Sequence, residues 1–187
     1  MEDRVRSFIC IELPLPVRRE LRRRTACLRQ KNPSFKWVSM DALHITLKFL
    51  GEQEQTFIES FSETIEKHLS SHCPASFPLA CGSLDAFPGM RRARTLVARV
   101  EGDLHALENI ASLVETVSVE HGIPAERRPF VPHVTLARMR QPESLVPSDK
   151  ALWDRLGWRV ENITLMKSLL APSGPVYTPL AVWNLLC

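Results

Sequence analysis

Two short stretches of this 187-residue chain repeat one pattern: His44-Ile45-Thr46-Leu47 and, in the last third of the chain, His133-Val134-Thr135-Leu136. Polar and apolar residues alternate in both. A β-strand sends successive side chains to opposite faces, so each segment would show His and Thr on one face and bury its aliphatic residues on the other. A chain patterned this way has to fold with two half-buried strands. If the pairs act together, these strands line one cleft from both sides. The first His/Thr strand is expected over residues 43–50 and the second over 131–138.

The surrounding segments alternate between helical and extended patterns. Residues 7–13 read as a strand stopped by Pro14 and Pro16. Val17, Leu21 and Leu28 then recur at helical spacing, which predicts one helix to about residue 30. Its Arg18, Arg19, Arg22, Arg23 and Arg24 read as a solvated face rather than a phosphate-attracting one. Phe57, Ile58, Phe61, Ile65 and Leu69 mark a helix over 56–68, and residues 77–84 and 95–100 are strand-like, joined by a connection carrying Arg91, Arg92 and Arg94. Asp103 is a good N-cap for a helix carrying Leu104, Leu107, Ile110, Val114 and Val117, with Gly122 as its stop. Pro147 and Ser148 are expected to open a helix through Leu152, Trp153 and Leu156, followed by strands over 163–170 and 177–186.

Both halves thus read helix, His/Thr strand, helix, strand, strand, with an extra strand at the start. The expected fold is α+β and bilobal: two pseudo-twofold-related lobes in a single domain over 1–187, each with a mainly antiparallel sheet and helices packed outside, and an active-site cleft between the lobes.

Composition narrows the function classes. With 44% hydrophobic and 24% charged residues the chain suits a soluble globular protein, and a net charge of +3 is too mild to establish a nucleic-acid partner. The five cysteines are scattered without a C-x-x-C, which favours a reducing, cytoplasmic compartment over a disulfide framework. The run Phe8-Ile9-Cys10-Ile11 is too short for a signal peptide or a membrane span. No H-x-H, H-E-x-x-H, Gly-rich phosphate loop or G-x-S-x-G occurs, so neither a metal nor another cofactor is expected.

Two imidazoles opposed across one phosphorus suit in-line displacement at a phosphodiester. One takes a proton from the attacking oxygen and the other gives one to the leaving oxygen, each contributing ~100- to 10,000-fold. Thr46 and Thr135 would hydrogen-bond the non-bridging oxygens. Strict alternation puts Lys48 on the His44/Thr46 face, Phe49 on the Ile45/Leu47 face, and Arg138 opposite His133 unless a bulge intervenes. Arg128, beside Pro129, is a candidate rim contact.

These motifs resemble a known family. The segments Phe8 to Pro14, Lys36-Trp37-Val38, Leu43 to Gly51, Arg127 to Arg138 and Tyr177-Thr178-Pro179-Leu180 look like the bacterial and archaeal RNA 2′,3′-cyclic phosphodiesterases, also called 2′-5′ RNA ligases, among the two-histidine phosphoesterases. The resemblance implies metal-independent opening of an RNA 2′,3′-cyclic phosphate to a 2′-phosphate, with 2′-5′ ligation as the reverse reaction. It implies His44 as proton donor, His133 as proton acceptor, Thr46 and Thr135 on the phosphate, and Arg138, Phe49, Lys48 and Arg128 as substrate contacts. The partner would be RNA with a cyclic-phosphate end, tRNA fragments included, bound by a monomer without a membrane. Two alternatives remain: a cyclic phosphodiesterase for small nucleotides or ADP-ribose derivatives, and a non-catalytic RNA-end-binding module.

Overall fold

The Phe-Ile-Cys-Ile run lies on a central strand, β1 (Val5–Glu12), paired between β3 (His44–Gln53) and β8 (Asn162–Ala171), and apolar clusters bury it on both faces. The computed structural model describes residues 4–72, 74–145, 155–171 and 174–186. Among them the remaining strands are β2 (Lys36–Trp37), β4 (Phe77–Phe87), β5 (Ala93–Gly102), β6 (His133–Glu143), β7 (Leu156–Val160) and β9 (Gly174–Asn184). The helices are α1 (Leu15–Arg24), α2 (Ala26–Lys31), α3 (Gln55–His72) and α4 (Leu104–Glu120). None of these helices is long and apolar enough to cross a membrane.

All pairings between named strands are antiparallel, in the order β7-β4-β5-β6-β3-β1-β8-β9, with β2 added to β6. The order is symmetric about the β6–β3 junction. One lobe is β3, β1, β8 and β9, and the other is β6, β5, β4 and β7. The lobes are therefore not the two halves of the chain, as the element order suggests, because β8 and β9 return to extend the lobe begun by β1. They join through the single residue pair Ile45 and Val134.

One face of the curled sheet carries the main core. Ile9, Ile11, Ile45, Leu47, Val134 and Leu136 pack beneath Val17 and Leu21 of α1, Phe61 and Ile65 of α3, and Leu107 and Val114 of α4. Each fully buried aliphatic side chain of this kind contributes roughly 1.5–3 kcal/mol. The opposite face has a small separate cluster, Phe8, Cys10 and Met166 with Tyr177 against them, so alternate residues of β1 feed two different apolar environments.

Local signals explain the element ends. Asp103 Oδ1 accepts from the Ala106 amide at 3.0 Å at the start of α4, and Gly122, at φ 80°, follows its end. The helix expected to run unbroken to about residue 30 divides at Thr25, whose hydroxyl donates back to the Leu21 carbonyl at 2.8 Å, a bond that competes with regular helix. Leu156, expected at the end of a helix, instead opens β7, where Trp158 and Val160 are buried and Gly157 and Arg159 exposed in strand alternation. The rest of that expected helix, from Pro147 to Trp153, lies outside the described residues.

Candidate active site

The two His/Thr strands carry the same irregularity in the same place. In β3, Thr46 faces Cys10 of β1 and Lys48 faces Ile9, which leaves Leu47 unopposed. In β6, Thr135 faces Val97 of β5 and Ala137 faces Leu96, which leaves Leu136 unopposed. Each is a β-bulge one residue past the threonine, and a bulge shifts side-chain parity. Consequently Leu47 and Lys48 are both buried, as are Leu136 and Ala137, and the next residues, Phe49 and Arg138, return to the His/Thr face.

The bulge corrects two sequence expectations and satisfies a third. Lys48 does not share the face of His44 and Thr46: it is 8% exposed, and its Nζ lies 2.7 Å from Glu115 Oε2 and donates to the Pro124 carbonyl at 3.0 Å. Phe49 is not core; it is 62% exposed, with its ring 6.0 Å from that of Phe8. Arg138 reaches the cleft by the required bulge, and its charge is felt at both His44 and Tyr177.

Each histidine is aimed by backbone. His44 Nδ1–H donates to the Ala42 carbonyl at 2.8 Å and His133 Nδ1–H to the Val131 carbonyl at 2.7 Å, in each case two residues back. A carbonyl can only accept, so both neutral rings hold their proton on Nδ1 and offer Nε2 as the working nitrogen. The Thr46 hydroxyl donates to His44 Nε2 at 3.0 Å.

Their surroundings differ. His44 lies 4.9 Å from Phe8 and 5.3 Å, edge-on, from Tyr177 (ring centroids). Burial pushes its pKa down to about 4; the charges of His133 and Arg138 add to the effect, and the hydrogen bond to Ala42 opposes it. His133 is partly exposed, with Phe87 edge-on at 5.0 Å and Arg99 of β5 directly opposite it. Arg99 Nε is tied to Asp85 Oδ2 at 2.7 Å.

An open groove of about 1820 Å³ borders this face, with Thr46, Phe49, Phe87, Arg94, Arg128 and His133 among its lining and Lys48 and Glu115 on its α4 side. Arg128 thus sits on the rim. Among the described residues no three His, Cys, Asp or Glu side chains converge as metal ligands would. Sequence reasoning missed Phe8, Tyr177 and Phe87 as walls of the two imidazoles. Alternation along β1 could have revealed Phe8 and Cys10 as a second apolar face; Phe87 carried no such signal.

Two lobes of antiparallel sheet, each presenting a His-x-Thr strand to a shared cleft, define a two-lobed phosphoesterase. Residues 14–171 match the model of the 2′-5′ RNA ligase superfamily, and the chain belongs to that superfamily. It is 33% identical over 185 residues to an RNA 2′,3′-cyclic phosphodiesterase of Thermus thermophilus, covering 97% of this chain and 90% of the relative. A Methanothermobacter thermautotrophicus protein of the same name is 27% identical over 191 residues, covering 97% and 100%. A solved structure from Thermus thermophilus superposes with a TM-score of 0.81 at 30% identity, covering 96% of this chain and 97% of its own. The fold is also that of E. coli LigT solved with 3′-AMP, at a TM-score of 0.78, 24% identity, and 97% and 98% coverage.

Proposed function

We propose that this protein hydrolyses RNA 2′,3′-cyclic phosphate ends to 2′-phosphates by acid–base catalysis between His133 and His44. The observation that carries the reading is the matched pair of bulged strands, which turns His44, Thr46 and Phe49 from one lobe and His133, Thr135 and Arg138 from the other to one face.

In the proposed step, water attacks phosphorus as its proton passes to His133 Nε2. The bond from phosphorus to the 3′ oxygen breaks, and His44 Nε2–H protonates that oxygen. Thr46 and Thr135 hold the non-bridging oxygens, and Arg138 offsets the charge that develops on them. Phe49 offers a face for the terminal base. Proton transfer and charge neutralisation are both assigned to side chains, so the proposed step proceeds in the presence of EDTA.

His44 is neutral at pH 7 in the free protein, because its pKa is held near 4. An incoming cyclic phosphate carries one negative charge, which cancels the repulsion from Arg138 and favours the imidazolium. Substrate thus raises the pKa of its own acid.

The openness of the groove favours an RNA end over a small closed ligand. Mass and ³¹P analysis of a short RNA ending in 2′,3′-cyclic phosphate, incubated with EDTA, tests the proposal. A 2′-phosphomonoester is expected; unchanged RNA or a 3′-phosphate contradicts it.

A further inference from the structure

Among the described residues six Lys and Arg side chains have a carboxylate partner. Arg4 meets Glu54, Arg23 and Arg24 meet Glu20, Arg155 meets Glu101, Lys48 meets Glu115, and Arg99, on the cleft face, meets Asp85. One edge of the cleft gathers several cations that have none. Lys36 of β2 lies directly opposite Arg138 of β6, and cross-strand partners project to the same face. Two residues along β6, Arg140 shares that face, because Met139 between them is buried in the main core. Arg91 and Arg92 lie in a 3-10 turn (Met90–Arg92) that packs against β6.

All five side chains are exposed, and among the described residues none forms an ion pair. Like charges directly opposite one another on neighbouring strands are destabilising, and among the described residues no carboxylate is paired with them. A polyanion laid along this edge would offset them. Beside the histidines the charge is partly offset, since Arg99, opposite His133, is tied to Asp85 and Glu12 stands opposite His44, while Arg94 and Arg128 add positive charge along the groove.

We propose that Lys36 and Arg140, on either side of Arg138 and backed by Arg91 and Arg92, form a track for the backbone phosphates of the nucleotides that precede the reacting end. The proposal rests on the RNA-end reading above and makes the site selective for a strand over a mononucleotide. A cyclic phosphate occupies the 3′ terminus, so the chain can leave the cleft only through the 5′ side of the last ribose. Arg138 marks the place where the reacting phosphate ends and the track begins. Residues two apart on a strand are separated by roughly 7 Å, so Arg138 and Arg140 offer two separate positive charges rather than a single point.

The test compares wild type with the Lys36→Gln/Arg140→Gln variant on two substrates, adenosine 2′,3′-cyclic phosphate and a five-nucleotide RNA with the same terminal residue. The ratio of kcat/KM for the oligonucleotide to that for the mononucleotide is expected to fall about tenfold. The slope of log kcat/KM against log salt for the oligonucleotide should become shallower by about 1.4, at roughly 0.7 per phosphate contact on a single strand. Since like charges are removed, Tm should stay level or rise, which separates the effect from misfolding. Equal losses on both substrates, or an unchanged ratio, overturn the track. Fluorescence anisotropy with the same pentamer ending in a 2′-phosphate supplies a second readout independent of turnover: weaker binding by the variant supports the track and equal binding overturns it, even if wild type were to open neither cyclic phosphate. That last result would overturn the proposed reaction instead.

Discussion

Strands β3 and β6 are two versions of one device. Both tether the histidine through Nδ1 to a carbonyl two residues back, both place threonine two residues on, and both bulge at the following leucine. They then diverge. After the bulge β3 buries Lys48, bonded to Glu115, and shows Phe49; β6 buries Ala137 and shows Arg138. Both rings are half-buried, but His44 packs against Phe8 and Tyr177 and resists protonation, whereas His133 meets Phe87 edge-on. Under the proposed reaction the shared geometry delivers two proton-transfer groups to one place, and the differences divide the labour. In that reading one strand supplies an apolar surface for a base and the other a cation for phosphate.

Breaking the shared part should cost most. His44→Ala and His133→Ala are each expected to lower turnover at least ~100-fold with the Tm nearly unchanged, read by steady-state kinetics on a cyclic-phosphate RNA. Thr46→Val and Thr135→Val should follow at roughly 100-fold in kcat if each hydroxyl steadies an oxygen in the transition state. A loss confined to KM would mean that the hydroxyls only bind the ground state.

The divergent positions should separate rather than repeat. Arg138→Gln removes a positive charge that holds the His44 pKa down, so that pKa should rise from about 4 but stay below 6.5, because burial, the larger cause, remains. An NMR titration of the His44 ring reads this, and a fall or no change would place Arg138 away from the cleft. Phe49→Ala should raise KM about tenfold and leave kcat nearly intact, since stacking on a base is worth about 1–3 kcal/mol.

The smallest catalytic effect belongs to Lys48. Lys48→Met leaves Glu115 Oε2 and the Pro124 carbonyl without their ammonium partner and should destabilise by about 1–3 kcal/mol, while turnover stays within about threefold. Severe loss of activity in a stably folded variant would return Lys48 to the cleft.

The sequence made the His/Thr pairs legible because alternation is a local property, repeated twice. It misassigned Lys48 and Phe49 because a bulge depends on how a strand pairs with its neighbour. Nothing within Leu47-Lys48-Phe49 states that Cys10 and Ile9 of β1 will skip one residue of β3. For Arg138 the need for a bulge could be deduced, but its presence only appears in the pairing with Val97 and Leu96. The same limit hid the interleaved lobes. β8 and β9 read as a terminal hairpin, and their return to β1 is a contact across more than a hundred residues. In β7 the alternation of Leu156-Gly157-Trp158-Arg159-Val160 was present, but helical spacing with Leu152 and Trp153 drew Leu156 to the wrong element.

The central claim is that two strands from different lobes serve one reacting phosphorus. Turnover of a cyclic-phosphate RNA by His44→Ala, His133→Ala and the double variant tests it most directly. Groups that act on one transition state are strongly non-additive, so the double variant should fall within about tenfold of the weaker single variant. A double loss equal to the product of two large single losses, or one single variant with near wild-type turnover, would contradict a shared centre.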